Sequence, residues 1–119
     1  MSQPTHLSAV TLSVTDMARA VAFYDAMGFQ LHHGGADADF TSYRVGEGYL
    51  NLQQVPQPPA TDWGRAILYV TDVDAAHSRA VEAGYSPAFA PRDAPWGERY
   101  FHLRDPEGHE LSFARPLDN

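Results

Sequence analysis

The feature that most narrows what this chain can become is that it repeats itself. Residues 9–16 read AVTLSVTD and residues 65–72 read RAILYVTD, two strand-like runs that end in Val-Thr-Asp 56 positions apart. Each run leads into a stretch of helical period. Met17, Ala20, Val21, Tyr24 and Met27 recur at that spacing in the first copy, and Val73, Ala76, His77, Ala80 and Val81 in the second. Thr15/Asp16 and Thr71/Asp72 suit the N-cap, where a short side-chain oxygen satisfies a free backbone N–H. Gly28 and Gly84 suit the helix stop, and an aromatic follows each, Phe29 and Tyr85. A strand, cap, helix and stop written twice is one supersecondary unit folded twice.

After each helix the pattern turns to short strands. The predicted spans are roughly 29–33, 39–45 and 48–54 in the first copy, and 86–90, 97–104 and 109–115 in the second. Gly34-Gly35, Gly46-Glu47-Gly48 and Asp105-Pro106-Glu107-Gly108 mark turns, and residues 55–63, rich in Pro, form the linker. The expected fold class is therefore α+β. Two βαβββ modules, one about 7–54 and the other about 64–116, form curved mixed sheets around a concave groove, with the helices on the outer face. At 119 residues the chain is expected to be a single domain, 1–119.

Composition removes several chemistries. There is no Cys, which excludes disulfides, thiolate metal sites and a Cys nucleophile. All eight basic residues are Arg, which excludes a Schiff-base Lys and a Walker-type phosphate loop. A net charge of −7 with no basic stripe argues against a nucleic-acid partner. No apolar run reaches the length of a bilayer span and no secretory signal is visible, so no membrane partner and a cytoplasmic location are expected.

Alternation along the strands assigns faces. Val10, Leu12 and Val14 face the helix in module one, with Leu50 and Leu52; Tyr49, Asn51 and Gln53 point the other way. In module two Ala66, Leu68, Phe101, Leu103, Leu111 and Phe113 pack inward. Arg65, Ile67, Tyr69, Tyr100, His102, Glu110 and Ser112 take the opposite face, and Trp96 and Glu98 extend it. The candidate ligand-binding residues are Tyr49, Asn51, Arg65, Tyr69, Trp96, Tyr100, His102, Glu110 and Ser112. Aromatic walls with a few polar groups suit a small molecule. Arg65 offers a clamp for an anion or a structural partner for Glu110 or Glu98, and Trp96 and Tyr100 offer stacking surfaces. His102 is the one catalytic candidate, as a general base oriented by Glu110; the plainer reading is a partly buried, hydrogen-bonded histidine.

The residues Val10-Thr-Leu-Ser-Val-Thr-Asp16, Ala22-Phe-Tyr24, Gly28-Phe29 and Asp105-Pro-Glu-Gly108 before a strand resemble the vicinal oxygen chelate superfamily of glyoxalases, extradiol dioxygenases and bleomycin resistance proteins. Pro95-Trp96-Gly97 most resembles the bleomycin resistance proteins. The resemblance implies one divalent metal in the enzymes, held from the first and last strand of each module. Those four positions here are Ala9, Asn51, Arg65 and Ser112. Ala has no ligand atom, Arg is a permanent cation, and Asn and Ser are weak neutral donors. The expectation is a protein without metal or other cofactor that binds a small molecule, such as an antibiotic, without altering it, and that pairs as a homodimer. The alternative is a glyoxalase- or dioxygenase-like enzyme.

Overall fold

Both Val-Thr-Asp junctions fold as the repeat predicts. The computed structural model describes residues 2–118. In the first half, strand β1 (Ala9–Val14) leads into helix α1 (Met17–Ala26), followed by β2 (Gln30–His33), β3 (Phe40–Val45) and β4 (Gly48–Gln54). In the second half, β5 (Arg65–Tyr69) leads into α2 (Val73–Glu82), followed by β6 (Arg92–Asp93), β7 (Glu98–Arg104) and β8 (Glu110–Pro116). The chain divides into two compact units between Pro59 and Ala60.

The caps are decided in favour of aspartate. The Asp16 carboxylate accepts from the Arg19 N–H at 3.1 Å and the Asp72 carboxylate from the Ala75 N–H at 3.0 Å. Both helices end in the same double hydrogen bond. Gly28 N–H donates to Asp25 O and Phe29 N–H to Tyr24 O; Gly84 N–H donates to Val81 O and Tyr85 N–H to Ala80 O. This six-to-one with five-to-two pattern requires a left-handed residue, and the two glycines supply it at φ 86° and 92°.

Each unit holds one four-stranded mixed sheet, in the order β1-β4-β3-β2 and β5-β8-β7-β6. The strand before the helix pairs in parallel with the last strand of its own unit, and the other pairings are antiparallel. In unit one, α1 buries Val21, Phe23 and Tyr24 with Leu12, Leu50 and Leu52. In unit two, Val73 and Ala80 of α2 are buried, as are Leu68, Phe101, Leu103, Leu111 and Phe113. His77 of that helix meets the Phe101 ring edge-on, with centroids 5.2 Å apart.

Two expectations need correction. Val81 shares the helical stripe in the sequence but is 53% exposed, because α2 buries a narrower face than α1. The strand predicted at 86–90 does not form; the pairing residues are Arg92 and Asp93, opposite Tyr100 and Arg99. Pro87 and Pro91 frame the earlier stretch, and a proline has no N–H for a ladder. That stretch keeps one bond across, from Ala88 N–H to His102 O at 2.9 Å.

Candidate functional site

The face of the second sheet turned away from α2 gathers most of the predicted residues. Its register sets Arg65 opposite Glu110, Ile67 opposite Ser112 and Tyr69 opposite Ala114 between β5 and β8. Between β8 and β7 it sets Ser112 opposite His102 and Ala114 opposite Tyr100. The short side chains of the central strand thus lie between larger ones on both flanks. Ser112 is buried, whereas Ile67 and Tyr69 on the edge strand β5 are about 60% exposed, at 59% and 60%.

Charge on this face is arranged in pairs and singles. Arg65 Nε donates to Glu110 Oε2 at 2.6 Å, and Arg104 Nη2 lies 3.6 Å from Glu110 Oε1. The Arg65 bond holds the Glu110 carboxyl below its ordinary range, against a smaller opposing effect of burial. Glu110 is therefore joined to guanidinium groups, not to His102 as the general-base reading requires. The His102 ring instead packs against Phe89 and Tyr100, at 5.2 and 5.3 Å between centroids. Burial, with help from Arg65, pushes its imidazole below the ordinary histidine value, so the ring is neutral at pH 7.

The aromatic row extends from there. Trp96 and Tyr100 lie 5.4 Å apart, and Tyr100 and Phe89 another 5.4 Å. Trp96 sits in the turn before β7, where Gly97 takes φ 94° and its carbonyl accepts from Leu117 N–H. The Trp96 indole N–H donates to Glu98 Oε1 at 2.8 Å, and the Tyr69 hydroxyl donates to Glu98 Oε2. Arg92 places its guanidinium 3.8 Å from the Phe89 ring centre and donates to the Tyr100 hydroxyl at 3.2 Å.

The sequence reading missed Phe89 and Arg92. The sequence places Phe89 in a strand at 86–90 and Arg92 in no element, and no local pattern signals that they fold onto Tyr100. His109 is 2% exposed, and its Nδ1 accepts from the Trp63 indole N–H at 2.9 Å.

Unit one carries the two remaining candidates. Tyr49 lies beneath the Arg44 guanidinium, 5.3 Å from ring centre, and 5.1 Å from the His32 ring. The Asn51 amide donates to the Thr11 hydroxyl at 3.2 Å. A separate concavity of about 490 Å³ in unit two has Thr71, Asp72, Asp74 and Arg115 among its walls. It is polar and has no aromatic surface, unlike the β5-β8-β7 face.

Residues 6–113 match the family model described as the Glyoxalase/Bleomycin resistance protein/Dioxygenase superfamily. The chain belongs to that superfamily. Among solved structures, this superfamily member is similar to TioX from Micromonospora sp. ML1, at 28% identity and TM-score 0.76, covering 95% of this chain and 100% of the other. It shares its fold with the bleomycin resistance determinant encoded on the transposon Tn5 (23% identity, TM-score 0.74, 94% and 98% covered). It shares it equally with lactoylglutathione lyase from Agrobacterium tumefaciens (20%, TM-score 0.75, 94% of each). An uncharacterized protein of Mycobacterium bovis is 46% identical over 50 residues, which are 42% of this chain and 33% of that protein. The matched segment thus spans only a third of that relative's length.

The metal of the superfamily's enzymes can be tested against this glyoxalase-like chain by its donors. The four positions to which the resemblance assigns that metal offer a methyl group (Ala9) and an amide hydrogen-bonded to Thr11 (Asn51) in unit one, and a guanidinium bound to Glu110 (Arg65) and a hydroxyl (Ser112) in unit two. This set does not fit a divalent cation. A guanidinium repels one, and zinc or iron prefers imidazole, thiolate and carboxylate. Among the described residues, no helix is long and apolar enough to cross a membrane.

Proposed function

We propose that this chain is a metal-independent small-molecule-binding protein that holds its ligand on the β5-β8-β7 face without transforming it. The observation that carries the reading is the Arg65–Glu110 pair. A permanent cation stands where the superfamily's enzymes carry a metal ligand, and a carboxylate of the same sheet neutralises it. Tyr69, Trp96 and His102 supply the surface for a flat ligand, Tyr100 (8% exposed) and Ser112 are buried beneath it, and Tyr49 and Asn51 belong to the corresponding face of unit one. An antibiotic is one class of ligand consistent with the structural likeness to the bleomycin resistance determinant. We also place the protein in the cytoplasm, as a homodimer.

Two measurements test this reading. Purified protein incubated with zinc, nickel, manganese or ferrous iron and then dialysed is expected to retain far less than one equivalent of any of them. Calorimetric titration with candidate ligands is expected to give saturable binding, with the ligand recovered chemically intact. Stoichiometric retained metal, or recovery of a converted product, overturns it.

One observation favours the second reading, a metal-free enzyme. His102 is neutral at pH 7, on the ligand face, and no hydrogen bond to its ring nitrogens is formed among the described residues. A general base needs that lone pair. It also needs a partner that fixes the ring, and the carboxylate best placed for this, Glu110, is bound to Arg65. In this second reading His102→Ala abolishes turnover while ligand affinity stays within a few-fold.

A further inference from the structure

The four strands of unit one contain no Asp or Glu, although the whole chain carries 15 acidic residues. The acids of that unit lie in α1 and its cap, in the loop between β2 and β3, and in the turn between β3 and β4. What the sheet does carry is Arg44 and two adjacent histidines, His32 and His33.

Strict alternation would send adjacent histidines to opposite faces. The β2–β3 ladder slips instead. Gln30 pairs with Arg44 and Leu31 with Tyr43, but the next pair is His33 with Ser42, which leaves His32 as an extra residue. A bulge of this kind re-aims a side chain. The Tyr43 hydroxyl donates to Asp25 of α1, so Ser42 and Arg44 take the face turned away from that helix. His33 joins that face through its pairing with Ser42. The His32 ring joins it as well, 5.1 Å from the ring of Tyr49, which stands opposite Arg44. Two imidazoles, a guanidinium and a phenol therefore share one patch.

Arg44 is held there without being neutralised. Its Nε donates to Gly46 O at 3.0 Å and its Nη1 to the Tyr49 hydroxyl at 3.4 Å, while its Nη2 donates to no group among the described residues. Nor does any carboxylate among the described residues lie at salt-bridge distance from Arg44, His32 or His33. All three are exposed. A guanidinium offers five N–H donors, and an imidazole offers at least one in either protonation state. Every free group of the patch thus suits an oxyanion, and an anchored guanidinium loses less freedom when one binds. The net charge of −7 opposes an anion at long range, but salt screens that field and leaves contact donors to decide.

We propose that His32, His33, Arg44 and Tyr49 form an oxyanion-binding subsite on unit one, which takes the phosphate or carboxylate group of a small molecule. The inference goes beyond the function proposed above. It uses no residue of unit two and stands whatever the β5-β8-β7 face holds.

The test titrates the full chain at pH 7 with phenyl phosphate, benzoate and benzyl alcohol, which share a ring and differ in the polar group. Proton NMR of the aromatic signals reads both affinity and location. Phenyl phosphate is expected to bind about fivefold more tightly than benzyl alcohol, the scale of a solvent-exposed charge contact, and to move the ring signals of His32, His33 and Tyr49. Benzoate separates the two sources of the oxyanion: the tighter of the two anions names the group, and either order supports the subsite. Arg44→Gln is expected to abolish the preference for the anions. Arg19→Gln, which removes the same charge from the exposed side of α1, is expected to keep it. Undiminished preference in folded Arg44→Gln, or an equal loss in Arg19→Gln, overturns the proposal. Two outcomes overturn it in the wild-type protein alone: benzyl alcohol bound as tightly as the anions, or shifts confined to second-sheet rings such as His102. Movement of only one of the two histidines refutes their shared face. If neither anion binds at millimolar concentration, the subsite does not exist.

Discussion

Arg65 Nε lies 2.6 Å from Glu110 Oε2, although the two residues are 45 positions apart in the chain. They meet because β5 and β8 run parallel in a register that sets them directly opposite each other. The contact neutralises a guanidinium and engages a carboxylate that also acts electrostatically on His102. Its energetic and chemical consequences are separable.

The energetic consequence is small and depends on pH. Arg65 is about half exposed, so a double-mutant cycle of Arg65→Met and Glu110→Gln is expected to give a coupling of about 0.5 kcal/mol at pH 7 and low salt. The Glu110 carboxyl is depressed below 4.5 in the folded chain. The contribution is therefore present above the unfolded value and disappears as pH falls through the lower, folded one. Urea unfolding in steps from pH 7 downward follows the loss; a coupling that rises rather than declines as pH falls below 4.5 contradicts the assignment.

His102 provides the matching spectroscopic prediction. Its folded pKa is below 6.5, chiefly through burial and secondarily through Arg65, with Glu110 acting in the opposite direction. The protein thus gains stability from neutral His102 above pH 6.5 and loses it as pH falls through the folded value. Proton NMR titration of the ring is expected to show an upward shift of that pKa in Arg65→Met, which removes the cation and frees Glu110. A downward shift would show that Arg65 does not act on the ring as charge.

Asp105 is the structural centre of the Asp-Pro-Glu-Gly turn. Its buried Oδ1 accepts from the N–H groups of Glu107, Gly108 and His109 at 3.0, 3.0 and 2.9 Å. Asp105→Ala leaves these donors without that acceptor and is expected to cost about 1–3 kcal/mol in denaturant unfolding, with Asp105→Asn recovering part of it. An unchanged midpoint for the Ala variant would show that water replaces the carboxylate without cost.

Two apolar positions that look alike in the sequence are expected to behave differently. Phe101 is fully buried and its ring stacks on Phe113 at 5.4 Å, so Phe101→Ala is expected to cost about 3–5 kcal/mol. Val81, half exposed on α2, is expected to tolerate alanine within about 0.5 kcal/mol. Thermal and urea unfolding of the two variants check the contrast.

The helices, their aspartate caps and glycine stops, and the identity of the core faces were legible because they are local. A cap needs one oxygen three residues from one N–H, and a strand alternates with period two whatever its neighbours. The strand at 86–90 failed for an equally local reason, since Pro87 removes a ladder donor within it and Pro91 another directly after it. What alternation cannot supply is the partner. It placed Glu98, Glu110, Arg65 and His102 on one face and left Arg65 to choose between two carboxylates. The register of strands far apart in the chain chose Glu110 for Arg65 and brought Tyr69, 29 positions away, to Glu98. The shorter β6–β7 pairing set Arg92 opposite Tyr100, with Phe89 beside them. Periodicity determines which side chains share a surface. Only the tertiary pairing decides which charges on that surface are cancelled and which, like that of Glu98, meet neutral donors.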